Sequence, residues 1–315
     1  MTRMHIAGSL ALIALAGCSA PLDVPTRASV EPIAAAPGAV PQAGFFPLEV
    51  GNHWWYVRQS RIDIVPTDGS GPTIIIESST SEREIVCIDP RDGVEYRATR
   101  VTNVGPGGTN VSWTRYRQSA AGLFVLGSDN FVPPGCAVGG EPASPAATRP
   151  MRSEALETFL AARPGAEQAA YRRALARLNE RRTMVQAAIT GGPSAFLPGA
   201  ARPGEGTQLR YPLTPKRSWL VYADLEFRIG AQVEGFEMLA LPAGSLESYR
   251  IRHIITGFGR DDRVHLWYGP AGYLQSEVHF SATVFDVEGN ALARLTSEDR
   301  ERLVQMSLVE PVPAR

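Results

Sequence analysis

The chain has 315 residues, 31 basic and 32 acidic side chains, and a formal net charge of −1. A charge this balanced gives no overall field that attracts nucleic acid or an anionic surface, so nucleic-acid binding is not expected. With 44% hydrophobic residues, the chain is long enough to bury one large core or two modest ones.

The N-terminus has the proportions of a secretory signal. A short apolar stretch, Ile6–Leu15, follows the single basic residue Arg3 and is closed by Pro21 and Asp23. It is too short to span a membrane, which takes about 20 residues. The stretch ends in the tetrapeptide Leu15-Ala16-Gly17-Cys18.

This tetrapeptide resembles the lipobox of bacterial lipoproteins, in which the signal is cut before the cysteine and the cysteine is acylated. The resemblance implies a lipoprotein signal peptide at residues 1–17 and a lipid anchor on Cys18. Ser19 follows the cysteine in place of Asp, which in enteric-type sorting favours the outer membrane, on the leaflet that faces the periplasm. An ordinary signal peptide with an incidental cysteine is the alternative.

After the anchor, residues 18–44 are rich in Pro and Ala and have no period, which predicts a disordered tether. Residues 45–310 are predicted to form a single β-rich domain, and residues 311–315 a short tail. The domain opens with an aromatic segment, Phe45–Val57, in which Pro47 and Gly51-Asn52 predict a turn before a strand. Further strands are predicted over about 73–88, 94–104 and 111–117, separated by hairpin-like turns.

Two cysteines remain after Cys18. Because an exported protein meets an oxidising compartment, Cys87 and Cys136 are predicted to form one disulfide, with two buried free thiols as the alternative.

The spacing of the apolar residues then changes to the period typical of α-helices. A helical insertion is predicted over about 153–190, as a short helix that begins near Ser153 and a longer one from about 166 to 190. Along the longer helix one stripe is apolar, formed by Tyr171, Leu175, Leu178, Val185 and Ile189. The stripe predicts packing on the sheet, and a helix that docks on a partner or a lipid surface is the alternative.

The β pattern returns after residue 206. Apolar and polar residues alternate over 219–229, which predicts one strand with a buried face and a solvent-exposed face. Residues 278–284 repeat the pattern before a hairpin at Glu288-Gly289-Asn290. Thr296 with Asp299 predicts the cap of a last short helix.

Two segments resemble an uncharacterised group of exported bacterial proteins and lipoproteins. They are the opening Phe46-Pro47-Leu48, Gly51, Trp54 or Trp55 and Tyr56, and the later pair Pro242-Ala243-Gly244 and Trp267-Tyr268-Gly269-Pro270 with Gly272. The arrangement is also similar in architecture to the curved sheets of lipoprotein localisation factors. No catalytic residue follows from either resemblance.

The predicted fold is mainly β, a curved antiparallel sheet of half-barrel or sandwich type with an inserted α-helical hairpin. Its concave face is predicted to bind an apolar or lipidic ligand through aromatic side chains. The alternative is that these side chains belong to the hydrophobic core. They are Trp54, Trp55, Trp219, Phe227, Trp267 and Phe280.

No catalytic constellation, metal-ligand spacing or cofactor motif is found in the sequence. The expected function is therefore that of a non-enzymatic, membrane-anchored envelope lipoprotein that binds an apolar ligand or another envelope protein. The alternative is a structural or assembly accessory without a small ligand. A cavity of about 300 Å³ or more in the sheet favours the ligand, and a filled interior favours the protein partner.

Overall fold

The computed structural model describes residues 45–106, 108–129, 132–136, 154–189, 205–223, 228–256 and 262–309. The predicted signal peptide, Cys18, the tether and the C-terminal tail lie outside these ranges. The strands of the described part are β1 His53–Pro66, β2 Thr73–Arg91, β3 Val94–Gly105, β4 Gly108–Ser119, β5 Gly122–Asp129, β6 Gly206–Arg210, β7 Ser218–Ala223, β8 Arg228–Leu241, β9 Gly244–Thr256, β10 Arg263–Gly269, β11 Gly272–Phe285 and β12 Ala291–Ser307. The helices are α1 Glu154–Ala161 and α2 Gly165–Ile189, and a 3₁₀ turn covers Pro134–Cys136.

All twelve strands form one antiparallel sheet in the order β6-β5-β4-β3-β2-β1-β12-β11-β10-β9-β8-β7. The first and last strands pair at its centre, with His53 opposite Ser307. The two edge strands, β6 and β7, meet where the indole N–H of Trp219 donates to the carbonyl of Thr207 over 3.1 Å. The sheet is therefore nearly closed into a barrel, which confirms the predicted mainly β fold with a curved antiparallel sheet.

Helices α1 and α2 lie in the chain between β5 and β6, two strands that pair with each other. The helical hairpin is thus inserted between neighbouring strands of the sheet. Of the predicted stripe, Tyr171 and Leu178 are buried and Leu175 is partly buried, whereas the side chains of Val185 and Ile189 lie outside the described part. Helix α2 packs mainly on β11. The domain limits proposed from the sequence stay a prediction.

The inner face of the barrel follows the alternation of side chains along each strand. On β1, Trp54, Tyr56 and Ile64 are buried, and on β11 Phe280 and Val284 are fully buried. The inner row of β12 is mixed, because the apolar Leu295 and Leu303 flank the buried Asp299 and Glu301. The barrel therefore encloses charged side chains as well as an apolar core.

Two sequence predictions are wrong. Residues 219–229 are not one strand, because β7 and β8 are two strands that pair antiparallel, with Tyr222 opposite Ile229. Thr296 and Asp299 do not cap a helix, because both lie within strand β12, which pairs with β1 and β11 along its length. Strand β5 was not predicted at all.

A disulfide joins Cys87 on β2 to Cys136 in the 3₁₀ turn, with 5.4 Å between the Cα atoms. It belongs to a small second cluster in which Ala98 and Trp113 are also buried. The bond fixes the segment that follows β5 against the sheet.

Candidate functional site

The described residues enclose a cavity of about 50 Å³ inside the barrel. Its aromatic wall includes Phe46, Trp54, Tyr116 and Tyr268, and Arg83 forms part of its polar wall. Small-ligand sites begin at about 300 Å³, and a buried water needs roughly 10–15 Å³. The space thus suits a few water molecules and is far too small for an alkyl chain.

Phe46 closes the wall from the segment that precedes β1. Its ring stacks on Tyr116 at 5.9 Å between centroids and lies 6.3 Å from the ring of Trp54. Its backbone N–H donates to the side chain of Gln118 over 2.9 Å. The aromatic opening predicted as the start of the domain is therefore tied into the barrel.

The guanidinium of Arg83, from β2, lies between two tyrosine rings. It is 4.7 Å from the centroid of Tyr56 and 4.3 Å from that of Tyr273. It also forms an ion pair of 2.7 Å with Glu301 of β12, which accepts a second hydrogen bond from the hydroxyl of Tyr273 over 2.9 Å. Cation–π contacts and a charge-assisted hydrogen bond thus compensate the burial of both charges.

Electrostatics keep this cluster in one protonation state. Burial lowers the pKa of Arg83, but Glu301 and the surrounding tyrosines raise it above its ordinary value. Burial raises the pKa of Tyr56, Tyr268 and Tyr273. The tyrosines therefore stay protonated near neutral pH and do not act as bases. The hydroxyls of Tyr56 and Tyr273 donate hydrogen bonds, and that of Tyr268 accepts one from Gln208.

Three polar atoms of the cavity wall have no hydrogen-bond partner among the described residues. They are Arg83 Nε, Thr99 Oγ1 and Gln208 Oε1. Thr99 and Gln208 are 3% and 4% exposed. The cavity is therefore lined by polar as well as aromatic side chains.

The structure does not bring the six predicted ligand-binding aromatics together. Trp54 alone lines the cavity, and its indole N–H donates to the carbonyl of Ala271 over 2.7 Å. Trp55 stacks on the imidazole of His53 at 3.8 Å and, by alternation along β1, lies on the other face.

The remaining predicted aromatics have structural partners or fall outside the described ranges. Trp219 bridges β6 and β7, and the indole N–H of Trp267 donates to Glu237 over 2.6 Å. Phe280 is fully buried, with the guanidinium of Arg181 5.7 Å from its ring centroid. Phe227 lies outside the described residues.

A second polar centre connects α2 to the barrel. Asp299 of β12 pairs with Arg58 of β1 at 3.1 Å and with Arg182 of α2 at 3.3 Å. The neighbouring Arg181 pairs with Asp262 and donates to the carbonyl of Ser281 over 3.0 Å. These contacts hold the helix at Arg181 and Arg182 against β11 and β12.

Sequence reasoning did not identify Arg83 or Glu301. The pattern of β2 could have indicated Arg83, because residues an even number of positions apart on a strand point to the same face. Arg83 shares the face of Ile75 and Ser81, both of them buried. Glu301 had no such signal, because a helix was predicted where β12 lies. His253 and His265 lie on the paired strands β9 and β10, and of the two only His253 is fully buried.

Within the described ranges, no group of three or more His, Cys, Asp and Glu side chains is arranged to hold a metal ion. No helix of the described part combines the length and apolar character needed to cross a membrane.

Two solved structures are distantly similar to this chain. One is described as an exported protein with a YmcC-like fold from Bacteroides fragilis, with 11% identity, coverage of 84% of this chain and 99% of that chain, and a TM-score of 0.33. The other is described as a lipoprotein from Parabacteroides distasonis, with 11% identity, the same 84% and 99% coverage, and a TM-score of 0.30. Similarities this low carry no argument about this chain. No protein-family profile and no curated protein matches the sequence.

Proposed function

We propose that this chain is a membrane-anchored envelope lipoprotein that works by binding another envelope protein, and that it does not carry an apolar ligand. The anchoring rests on the sequence, through the apolar N-terminal stretch and Leu15-Ala16-Gly17-Cys18. The choice of partner rests on one observation, the small volume of about 50 Å³ of the cavity inside the barrel.

The cavity that the described residues line has a volume of about 50 Å³. A lipid carrier needs a larger and drier cavity than this. The protein therefore acts through its outer surface. The alternative function, that of an assembly accessory, would use the same surface.

The experiment compares wild-type protein and Cys18→Ser in the native host. Wild-type protein is expected in the membrane fraction and labelled by a radioactive acyl precursor, and Cys18→Ser is expected to be unlabelled and released from membranes. Cross-linking of intact cells is expected to join the anchored protein to a distinct envelope protein. A membrane-bound, unlabelled wild type or a complete lack of cross-linked species would overturn the proposal.

Ligand carriage is tested on the purified acyl-free chain with a fluorescent fatty acid, followed by tryptophan emission. No saturable response is expected up to the solubility limit of the probe. Saturable binding at one site per chain would contradict a function without an apolar ligand.

A further inference from the structure

The seam of the barrel lies between the two shortest strands of the described sheet. Strands β6 and β7 have 5 and 6 residues and stand at opposite ends of the strand order, where β6 pairs with β5 and β7 pairs with β8. A side chain joins them across the seam, since the indole N–H of Trp219 donates to the carbonyl of Thr207. A ladder would supply a series of backbone hydrogen bonds, so the barrel wall is held less strongly at the seam than between paired strands.

Helix α2 bridges this seam. It contacts β6 and β7, the strands on the two sides of the seam, and it packs mainly on β11, which lies beyond β8, β9 and β10 in the strand order. The hairpin that contains the helix is an insertion between β5 and β6, which pair with each other. Displacement of the helix therefore breaks no pair of strands, and the helix acts as a strap laid over the seam.

Two ion pairs fasten the strap away from the seam. Arg181 pairs with Asp262 and donates to the carbonyl of Ser281 on β11 over 3.0 Å. Arg182 pairs with Asp299 on β12 at 3.3 Å. The strap is thus held by polar contacts on β11 and β12, which are not the strands that it keeps together.

These ion pairs are weakly favourable because their burial costs free energy. Burial lowers the pKa of Arg182 despite the opposing effect of Asp299, and it lowers the pKa of Arg181 as well. Desolvation of a paired charge offsets much of the attraction between the partners. Release of the helix therefore requires less free energy than separation of two strands within a ladder.

We propose that α2 is a strap that keeps the barrel closed, and that release of its ion pairs with Asp262 and Asp299 lets β6 and β7 part at the seam. An opening at this place reaches the interior, because Gln208 follows Thr207 on β6 and lines the cavity, where its side chain donates to the hydroxyl of Tyr268. This inference goes beyond the proposed function, since it concerns how the barrel opens and not what its outer surface binds.

The first test is amide hydrogen exchange of the purified acyl-free wild type, measured by mass spectrometry over a series of low urea concentrations. The hydrogen-bonded amides of β6 and β7 are expected to exchange through a local opening that urea hardly changes, whereas those of β1 and β12 follow global unfolding. Exchange of all four strands through global unfolding would overturn the inference without any variant.

The second test removes one fastening of the strap. Arg182→Gln is expected to speed exchange in β6 and β7 by roughly tenfold and to leave β1 and β12 unchanged, although Arg182 contacts neither edge strand through its ion pair. Arg172→Gln is the matched control, because it removes a pair with Glu157 on the same helix in which both side chains are exposed. The control is expected to follow the wild type.

The third test acts on the seam with a matched pair of tryptophan variants. Trp219→Phe removes the indole N–H that joins β7 to β6 and is expected to speed exchange in these two strands. Trp267→Phe removes an equally buried indole N–H whose acceptor is Glu237, at a place where β8, β9 and β10 are paired. This variant is expected to leave exchange in β6 and β7 unchanged.

Two further results would overturn the inference. One is an Arg182→Gln variant in which exchange rises equally in β1, β12, β6 and β7, since the ion pair would then stabilise the whole fold without acting on the seam. The other is an equal effect of Arg172→Gln on the edge strands. If Arg182→Gln does not fold, Arg182→Lys keeps the charge, and it is expected to speed exchange in β6 and β7 by a smaller factor.

Discussion

Arg182 of helix α2 donates to the carboxylate of Asp299 on strand β12 over 3.3 Å, inside the barrel and more than a hundred residues away in the chain. The same carboxylate pairs with Arg58 of β1 at 3.1 Å. Burial lowers the pKa of Arg182 despite Asp299, whereas Asp299 and Glu301 raise the pKa of Arg58 against the opposing effect of its burial. One buried acidic side chain therefore pairs with two half-buried cations.

Removal of that carboxylate is predicted to be destabilising. Asp299→Ala leaves Arg58 and Arg182 without their shared partner, but the two arginine side chains stay 32% and 29% exposed to solvent. The cost is therefore expected to be about 1–3 kcal/mol, below that of breaking a fully buried pair. Urea unfolding followed by tryptophan fluorescence measures the change in the free energy of unfolding. Glu298→Ala, at an exposed neighbouring position on β12, is the control and is expected to change it by less than about 1 kcal/mol. Equal losses for the two variants would contradict the role of Asp299.

The pair of Arg83 and Glu301 is predicted to show strong coupling. Arg83→Met leaves a buried carboxylate and Glu301→Leu leaves a buried guanidinium, so each single change is expected to cost about 3–5 kcal/mol. The double variant removes both charges and is expected to cost clearly less than the sum, with a coupling energy of about 1–3 kcal/mol. A double-mutant cycle by urea unfolding measures this energy.

The matched control for that cycle is an ion pair between exposed partners. Arg100 and Glu84 lie 2.5 Å apart on paired strands, but both remain accessible to solvent. Their coupling is expected to be below about 1 kcal/mol because water screens the two charges. Comparable coupling energies in the two cycles would mean that burial does not strengthen the Arg83 pair.

The disulfide is predicted to stabilise the fold through the loop it closes. Cys87 and Cys136 are 49 residues apart in sequence, for which the chain-entropy model gives about 4 kcal/mol. The Cys87→Ala, Cys136→Ala variant is expected to lose about that much stability in urea. In the oxidised wild type neither of the two cysteines is expected to react with an alkylating reagent. Two alkylated cysteines in protein isolated from the periplasm would rule out the bond.

The sequence allowed good predictions where local signals and packing agree. The Gly- and Asn-rich turn at residues 288–290 and the buried Tyr171 and Leu178 of α2 follow from turn chemistry and helical period. Strand β12 escaped prediction because Asp299 and Glu301 occupy inward positions that an alternating pattern assigns to apolar residues. Their burial depends on arginines from β1, β2 and α2, and a local pattern contains no information about such distant partners.

The candidate site escaped prediction for a related reason. Large aromatics were assigned to a ligand site because of their size and surface, yet Trp54, Trp219 and Trp267 donate their indole N–H groups to acceptors of the barrel. An indole ring buries a large apolar area, and its N–H needs a hydrogen-bond acceptor. It is therefore as suitable for contacts between parts of the barrel as for the wall of a binding site. The acceptors lie on other strands or, for Trp54, in the turn between β10 and β11, and only the fold identifies them.

His253 is predicted to make stability fall at acidic pH. Its side chain is 1% exposed, and neither ring nitrogen has a hydrogen-bond partner among the described residues. Burial, with a smaller contribution from His265, lowers its pKa to about 3. The unfolded chain takes up a proton near pH 6.5 while the folded chain does not, so stability is fully present above pH 6.5 and decreases as the pH falls towards 3. Between pH 7.5 and 4.5 this histidine is expected to account for a loss of roughly 2–3 kcal/mol.

His253→Leu is the variant that tests this origin of the pH dependence. Leucine is apolar and of similar size, so stability at pH 7.5 is expected to change little or to rise, because a buried unsatisfied polar group is removed. At pH 4.5 the variant is expected to be more stable than the wild type by roughly 2–3 kcal/mol, measured by urea unfolding at the two pH values. His279→Gln, at a partly exposed position beside Glu298, is the control and is expected to follow the wild type. If His253→Leu and the wild type lose equal stability on acidification, the pH dependence comes from other groups.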